Sequence, residues 1–144
     1  MFEFAYLKAK SLPDASAFVT AHPDAKLLSG GMTLIPTLKQ RPARPSHLVD
    51  IAGLPELGGI EVKDGHLSIG AAMRHADVAA SAVVKKSIPA LASLAHTIGD
   101  PQVRNRGTLG GSVANNDPAA DYPAAVLGLN ATIVTNRREI AAAD

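Results

Sequence analysis

Leu12, Ala15, Phe18 and Val19 recur at near-helical spacing after Ser11, and Pro13 sits just inside that start. The spacing gathers the apolar side chains on one face, so a first helix is predicted from Ser11 until His22-Pro23. Lys26-Leu27-Leu28 predicts a short strand running into Gly30-Gly31. Thr33 to Lys39 then predicts a helix with Leu34, Ile35 and Leu38 inward, and Pro36 is tolerated near its start. Arg41 to Pro45, carrying two prolines and two arginines, predicts an extended connector. His47-Leu48-Val49-Asp50-Ile51 follows as a second strand, and a first lobe closes there.

Past that point the period changes. Gly59-Ile60-Glu61-Val62 and His66-Leu67-Ser68-Ile69 flank Lys63-Asp64-Gly65, and Asp-Gly between alternating runs predicts a hairpin. Antiparallel strands are thus expected to join the parallel ones. Ala76 to Ala80 and Ile88 to His96 predict scaffold helices, the second with Ile88, Leu91, Leu94 and Ala95 on one face. Gly99-Asp100-Pro101 breaks the pattern, and Gln102-Val103-Arg104-Asn105-Arg106 leads into Gly107. Ser112 to Asn115 predicts a short extended run. Asp117-Pro118-Ala119-Ala120-Asp121 is turn and cap chemistry before a helix over Tyr122 to Leu127. Ala131 to Val134 resumes strand character, Asn136-Arg137-Arg138 predicts a turn, and the chain stops at Ala142-Ala143-Asp144 just after a strand. An incomplete domain is therefore expected, without internal repeats.

At 144 residues, 47% of them hydrophobic, the chain has the size of one compact unit. Lys plus Arg number 14 against 13 Asp plus Glu, and the formal charge of +1 provides no field for gathering nucleic acid or an anionic membrane. With no tryptophan, three phenylalanines and two tyrosines, a base-stacking platform lacks material. The absence of cysteine excludes disulfides, thiolate nucleophiles and cysteine-ligated iron–sulfur or zinc sites within this chain. No stretch reaches the ~18 apolar residues of a membrane span, and Met-Phe-Glu-Phe lacks the basic start of a leader, so a cytoplasmic location is expected. Asn130-Ala131-Thr132 matches a glycosylation acceptor by chance in that setting.

Candidate chemistry concentrates in two glycine turns, Ser29-Gly30-Gly31-Met32-Thr33 and Thr108-Leu109-Gly110-Gly111-Ser112. A Gly-Gly pair permits positive φ, so that successive N–H groups can converge on an anion without any lysine. Two such nests suit a diphosphate. Neither turn matches a P-loop or the Gly-x-Gly-x-x-Gly dinucleotide fingerprint, and spacing alone fits an ordinary strand-to-helix turn at Ser29–Leu34 equally well. Asn115, Asn116, Asp117 and Asp121 cluster polar side chains beside the second turn, while Leu34, Ile98 or Leu109 could carry an apolar flavin-like ring. Ser112 resembles a hydrolase nucleophile only loosely, because the last histidine, His96, precedes it. The five histidines show no metal-ligand spacing and are expected at the surface or in caps. Arg104 and Arg106 are expected to be solvated.

Together these segments resemble the FAD-binding medium subunit of the molybdenum hydroxylases, the carbon monoxide dehydrogenase and xanthine dehydrogenase group. The likeness is carried by Leu28-Ser29-Gly30-Gly31-Met32-Thr33-Leu34-Ile35-Pro36, by Leu48-Val49-Asp50-Ile51, by the run from Ile98 to Ser112, and by Asn115 to Asp121. It implies an α+β, two-lobed FAD-binding domain of the PCMH type. A small parallel βαβ lobe would span residues 1–55. A lobe with mainly antiparallel strands and flanking helices would span 56–144, without the family's C-terminal domain. Leu27, Leu28, Ser29, Gly30, Gly31, Met32, Thr33 and Leu34, with Thr108, Leu109, Gly110, Gly111 and Ser112, would then wrap the FAD diphosphate. Ile98 would lie near the flavin, Asn115 would line the site, and Asp121 would hydrogen-bond the cofactor. Met32 and Ser112 depart from the residues common in relatives. The implied partners are a small subunit with two 2Fe–2S clusters and a large subunit holding the molybdenum cofactor. The flavin subunit would pass electrons to an external acceptor, a division of labour that suits a chain without cysteine. The rival expectation is a shortened, non-catalytic assembly protein of the same fold that holds no FAD.

Overall fold

The computed structural model describes residues 1–144. Strand β1 (Ala5–Lys8) leads into helix α1 (Leu12–Ala21), where the Ser11 hydroxyl accepts the Asp14 N–H at 3.2 Å and Pro13 occupies the first turn. Strand β2 (Lys26–Leu28), helix α2 (Leu34–Gln40) and strand β3 (His47–Asp50) follow. The sheet order is β1-β3-β2, all parallel, with Leu7 opposite Val49 and Leu27 also in register with Val49. Leu48 and Val49 are buried at its centre. The hydrophobic pattern does not reveal β1, because on this edge strand only Leu7 turns toward the core. Pairing with β3, and the Tyr6 hydroxyl donating to the Asp50 carboxylate, hold it in place.

After a 3-10 turn at Pro55–Leu57, strands β4 (Ile60–Lys63) and β5 (His66–Ile69) form the expected Asp64-Gly65 hairpin, with φ positive at both turn residues. They do not join the parallel sheet. They form a separate antiparallel ribbon, as do β6 (Thr132–Val134) and β7 (Glu139–Ala141). Six helices run between the ribbons, the first five being α3 (His75–Ala80), α4 (Ala82–Ser87), α5 (Pro89–Thr97), α6 (Pro101–Arg104) and α7 (Leu109–Asn115). Helix α8 (Asp121–Gly128) then leads to β6. Short α4 and α6 escape the periodicity reading. Each rests on a side-chain cap, Ser81 accepting from Val84 N and Asp100 from Val103 N.

Two apolar clusters form the core. Ala9, Ala15, Ala25, Val49 and Leu54 pack between the parallel sheet and α1. Val78, Val84, Leu91, Ala92, Ala95 and Tyr122 knit α3, α4, α5 and α8. No helix is long and apolar enough to cross a membrane.

Candidate functional site

The two glycine turns, about eighty residues apart in sequence, meet in space. The Thr108 hydroxyl lies 3.1 Å from that of Ser29. A Cβ on Gly30 would fall 2.1 Å from the Arg106 carbonyl oxygen and 2.9 Å from the Gly107 Cα, so this glycine exists to let one backbone lie on the other. Gly31, at φ +74°, supplies the left-handed bend between Leu28 and Ile35.

The first turn leaves its amides unpaired. The N–H groups of Ser29, Gly30, Gly31, Met32, Thr33 and Leu34 have no backbone acceptor, and pairing resumes only where Ile35 donates to the Gly31 carbonyl at 2.9 Å. Six successive donors therefore line a half-buried loop that ends at the first turn of α2. Peptide N–H groups left unpaired near the surface are positioned to bind an anion or water.

The second turn is built otherwise. Gly110 and Gly111 are helical residues of α7, and neither has positive φ. Leu109 N–H donates to the Met73 carbonyl and Gly110 N–H to that of Ala71, both at 2.9 Å, while the Thr108 hydroxyl accepts from Gly111 at 3.2 Å and the Thr108 carbonyl from Ser112 at 3.0 Å. Four of its five amides are committed, all but that of Thr108, so it is no nest. This helix also replaces the extended run expected over Ser112 to Asn115, because the Thr108 cap and the carbonyls of 71 and 73 satisfy the first-turn donors that glycine would otherwise leave in water. Gly110 is required here by proximity: its Cβ would stand 2.5 Å from that of Ala71.

The remaining sequence-predicted residues take varied places. Leu27, on β2, is 47% exposed, whereas Leu28 turns toward Gly31. Met32 is half-buried and Thr33 occupies the cap position of α2. Ile98 and Leu109 both pack on the larger core cluster. Asn115 ends α7 and Asp121 opens α8, both exposed. Between them the polar run does structural work, since Asn116 is the left-handed cap of α7 at φ 47° and Asp117 accepts the Ala119 N–H at 2.9 Å. Arg104 is not solvated as expected: its guanidinium donates to the carbonyls of Gly99 (2.7 Å) and Ile98 (3.3 Å), fixing the bend below the second turn.

His75 is likewise no surface residue. It is 5% exposed, its backbone N–H donates to the Gly107 carbonyl at 3.0 Å, and its ring packs 5.3 Å from that of Tyr122. His75 Nδ1 and the Tyr122 hydroxyl are buried without partners. Burial holds the imidazole below its ordinary pKa and pushes the phenol well up, with the Asp121 carboxylate favouring the protonated form of each. The spacing of His75, Val78 and Ala79 was the available signal, since three- and four-residue intervals place His75 on the inward face of α3.

The first turn thus presents unpaired amides of the kind a diphosphate needs, and the second lies beside it with the space at its glycines taken up by Ala71 and Thr108. Residues 2–144 match the family described as the FAD binding domain in molybdopterin dehydrogenase. The medium chain of glyceraldehyde dehydrogenase from Sulfolobus acidocaldarius is 42% identical over 132 residues, 92% of this chain and 47% of the relative. The carbon monoxide dehydrogenase medium chain from Hydrogenophaga pseudoflava is 43% identical over 132 residues, 91% of this chain and 46% of the relative. Among solved structures, carbon monoxide dehydrogenase from H. pseudoflava superposes with a TM-score of 0.95 at 41% identity, covering 99% of this chain and 51% of that one. Quinoline 2-oxidoreductase from Pseudomonas putida 86 gives 0.95 at 35% identity, with 99% and 52% covered. The chain spans about half the length of the curated relatives it matches. It belongs to the family of FAD binding domains of molybdopterin dehydrogenases.

Proposed function

We propose that this chain is the FAD-holding part of a medium subunit in a molybdenum hydroxylase, and that it passes electrons from the 2Fe–2S clusters of a partner small subunit to an external acceptor. The oxidised substrate would be handled by a partner large subunit with the molybdenum cofactor. The observation that carries the reading is the meeting of the two glycine turns, with six unpaired amides on one of them. Bound FAD supplies electron-accepting and electron-donating chemistry that no side chain of this protein possesses. The chain's own work is binding and orientation.

In this reading the segment from Leu27 to Leu34 wraps the diphosphate, and its N–H groups from Ser29 onward donate to the diphosphate oxygens. Thr108 to Ser112 closes on the diphosphate from the other side, held against the first turn by the contact between the Thr108 and Ser29 hydroxyls. Ile98 and Leu109, anchored in the core, present an apolar wall to the ring system, and Asn115 and Asp121 address its polar edge. The two core clusters support a division into lobes at 1–55 and 56–144 with the cofactor at their junction. No general acid or base is needed.

Equilibrium titration of the purified chain with FAD, ADP and NAD tests this. Tighter binding of FAD is expected, with flavin absorbance retained through gel filtration. Equal affinities for the three ligands, or a colourless protein that still captures the iron–sulfur subunit, would overturn the flavin reading in favour of an assembly role.

A further inference from the structure

Thr108 Oγ1 occupies an unusual position: it accepts the Gly111 N–H at 3.2 Å and lies 3.1 Å from Ser29 Oγ, while the residue is only 5% exposed. Those are its two partners. A hydroxyl has one proton and two lone pairs. Were Ser29 to donate to Thr108, both Thr108 lone pairs would be filled and its own proton would be stranded in the interior, the costly arrangement of an unpaired buried donor. If Thr108 donates to Ser29, nothing buried is left unpaired. The direction of the bond follows: Gly111 N–H to Thr108, Thr108 O–H to Ser29. Ser29 is half-buried and makes no other side-chain hydrogen bond, so with one lone pair filled by Thr108 its own proton is left without an acceptor in this chain, next to the loop of unpaired amides.

We infer that the Ser29 hydroxyl is an obligate donor to a diphosphate oxygen of the cofactor, and that Thr108 is the positioning residue that enforces this polarity across the two turns. The inference rests on the flavin reading above. It adds to the amides a side-chain donor whose orientation is set by a residue of the other turn. Loss of either hydroxyl therefore removes the same contact. Ser29→Ala deletes the donor, and Thr108→Val releases it to point elsewhere.

The test is FAD titration of the full chain, followed by flavin fluorescence, for wild type, Ser29→Ala, Thr108→Val, Thr108→Ser and the Ser29→Ala/Thr108→Val double variant. A hydrogen bond to a charged group predicts about tenfold weaker FAD binding for Ser29→Ala and for Thr108→Val. The double variant should be weaker than either by less than about twofold, because one contact is lost once. Thr108→Ser, keeping the hydroxyl, should bind within about threefold of wild type. Wild-type affinity in Ser29→Ala overturns the inference, as do losses that multiply in the double variant. Should Thr108→Val fail to fold, Ser29→Ala and Thr108→Ser still decide. Failure of wild type itself to bind FAD would instead sink the flavin reading, which separates the two outcomes.

Discussion

Gly30 is defined by a neighbour it does not know in sequence. Its missing Cβ makes room for the Arg106 carbonyl, 2.1 Å from where that atom would sit, and the obstacle is backbone that cannot swing aside. Gly30→Ala should therefore push the turns apart, lowering stability by about 1–3 kcal/mol in urea unfolding and weakening FAD by at least tenfold. A variant with unchanged affinity would show that the contact between the turns is dispensable. Gly31 differs in kind: its φ of +74° is a local demand, legible from Gly-Gly after a short strand. His75 was misjudged for the opposite reason. Its spacing with Val78 and Ala79 puts it on the inward face of α3, but how deeply it is buried depends on α5 and on Tyr122 of α8 packing over that face.

At the level of elements, α7 shows why the second glycine turn is not a copy of the first. Glycine in a helix costs about 1 kcal/mol relative to alanine, and two in succession would argue against a helix. Tertiary contacts reverse that preference: the carbonyls of Ala71 and Met73 and the hydroxyl of Thr108 take up the first-turn N–H groups. Replacing Gly110 and Gly111 together by valine should abolish cofactor retention, because a Cβ at Gly110 meets Ala71 at 2.5 Å and one at Gly111 meets Thr108 Oγ1 at 2.7 Å. Flavin content after gel filtration, alongside circular dichroism to monitor folding, measures it. Equal flavin content would contradict the close-approach argument. The hairpin β4–β5 and helices α1 and α5 needed no such help, since Asp-Gly, the Ser11 cap and the apolar stripe of Leu91 and Ala95 are all local signals.

Across the whole molecule only 17 of 144 residues are buried, so each interior group weighs heavily on stability. His75 is the buried group whose ordinary pKa lies near neutral pH. Its folded pKa lies below the ordinary 6.5, so the unfolded chain binds the proton first. Stability is thus unaffected above that value and declines as pH falls from about 6.5 toward the lowered pKa, with Asp121 moderating the loss. The thermal midpoint of wild type should fall over that window, whereas His75→Gln should lack this component of the slope; identical pH profiles would refute it. Sequence alone determined the element types where periodicity and caps are strong, the glycine turns, the exclusion of thiolate chemistry and the family likeness, because each depends on neighbours within a few residues. Tertiary structure decided that the turns lie against one another, that one leaves six amides unpaired while the other commits all but that of Thr108, that His75 is buried and that Arg104 is tied to the carbonyls of Ile98 and Gly99. Those outcomes depend on which distant carbonyl or hydroxyl reaches each donor, and only the folded chain brings those partners within bonding distance.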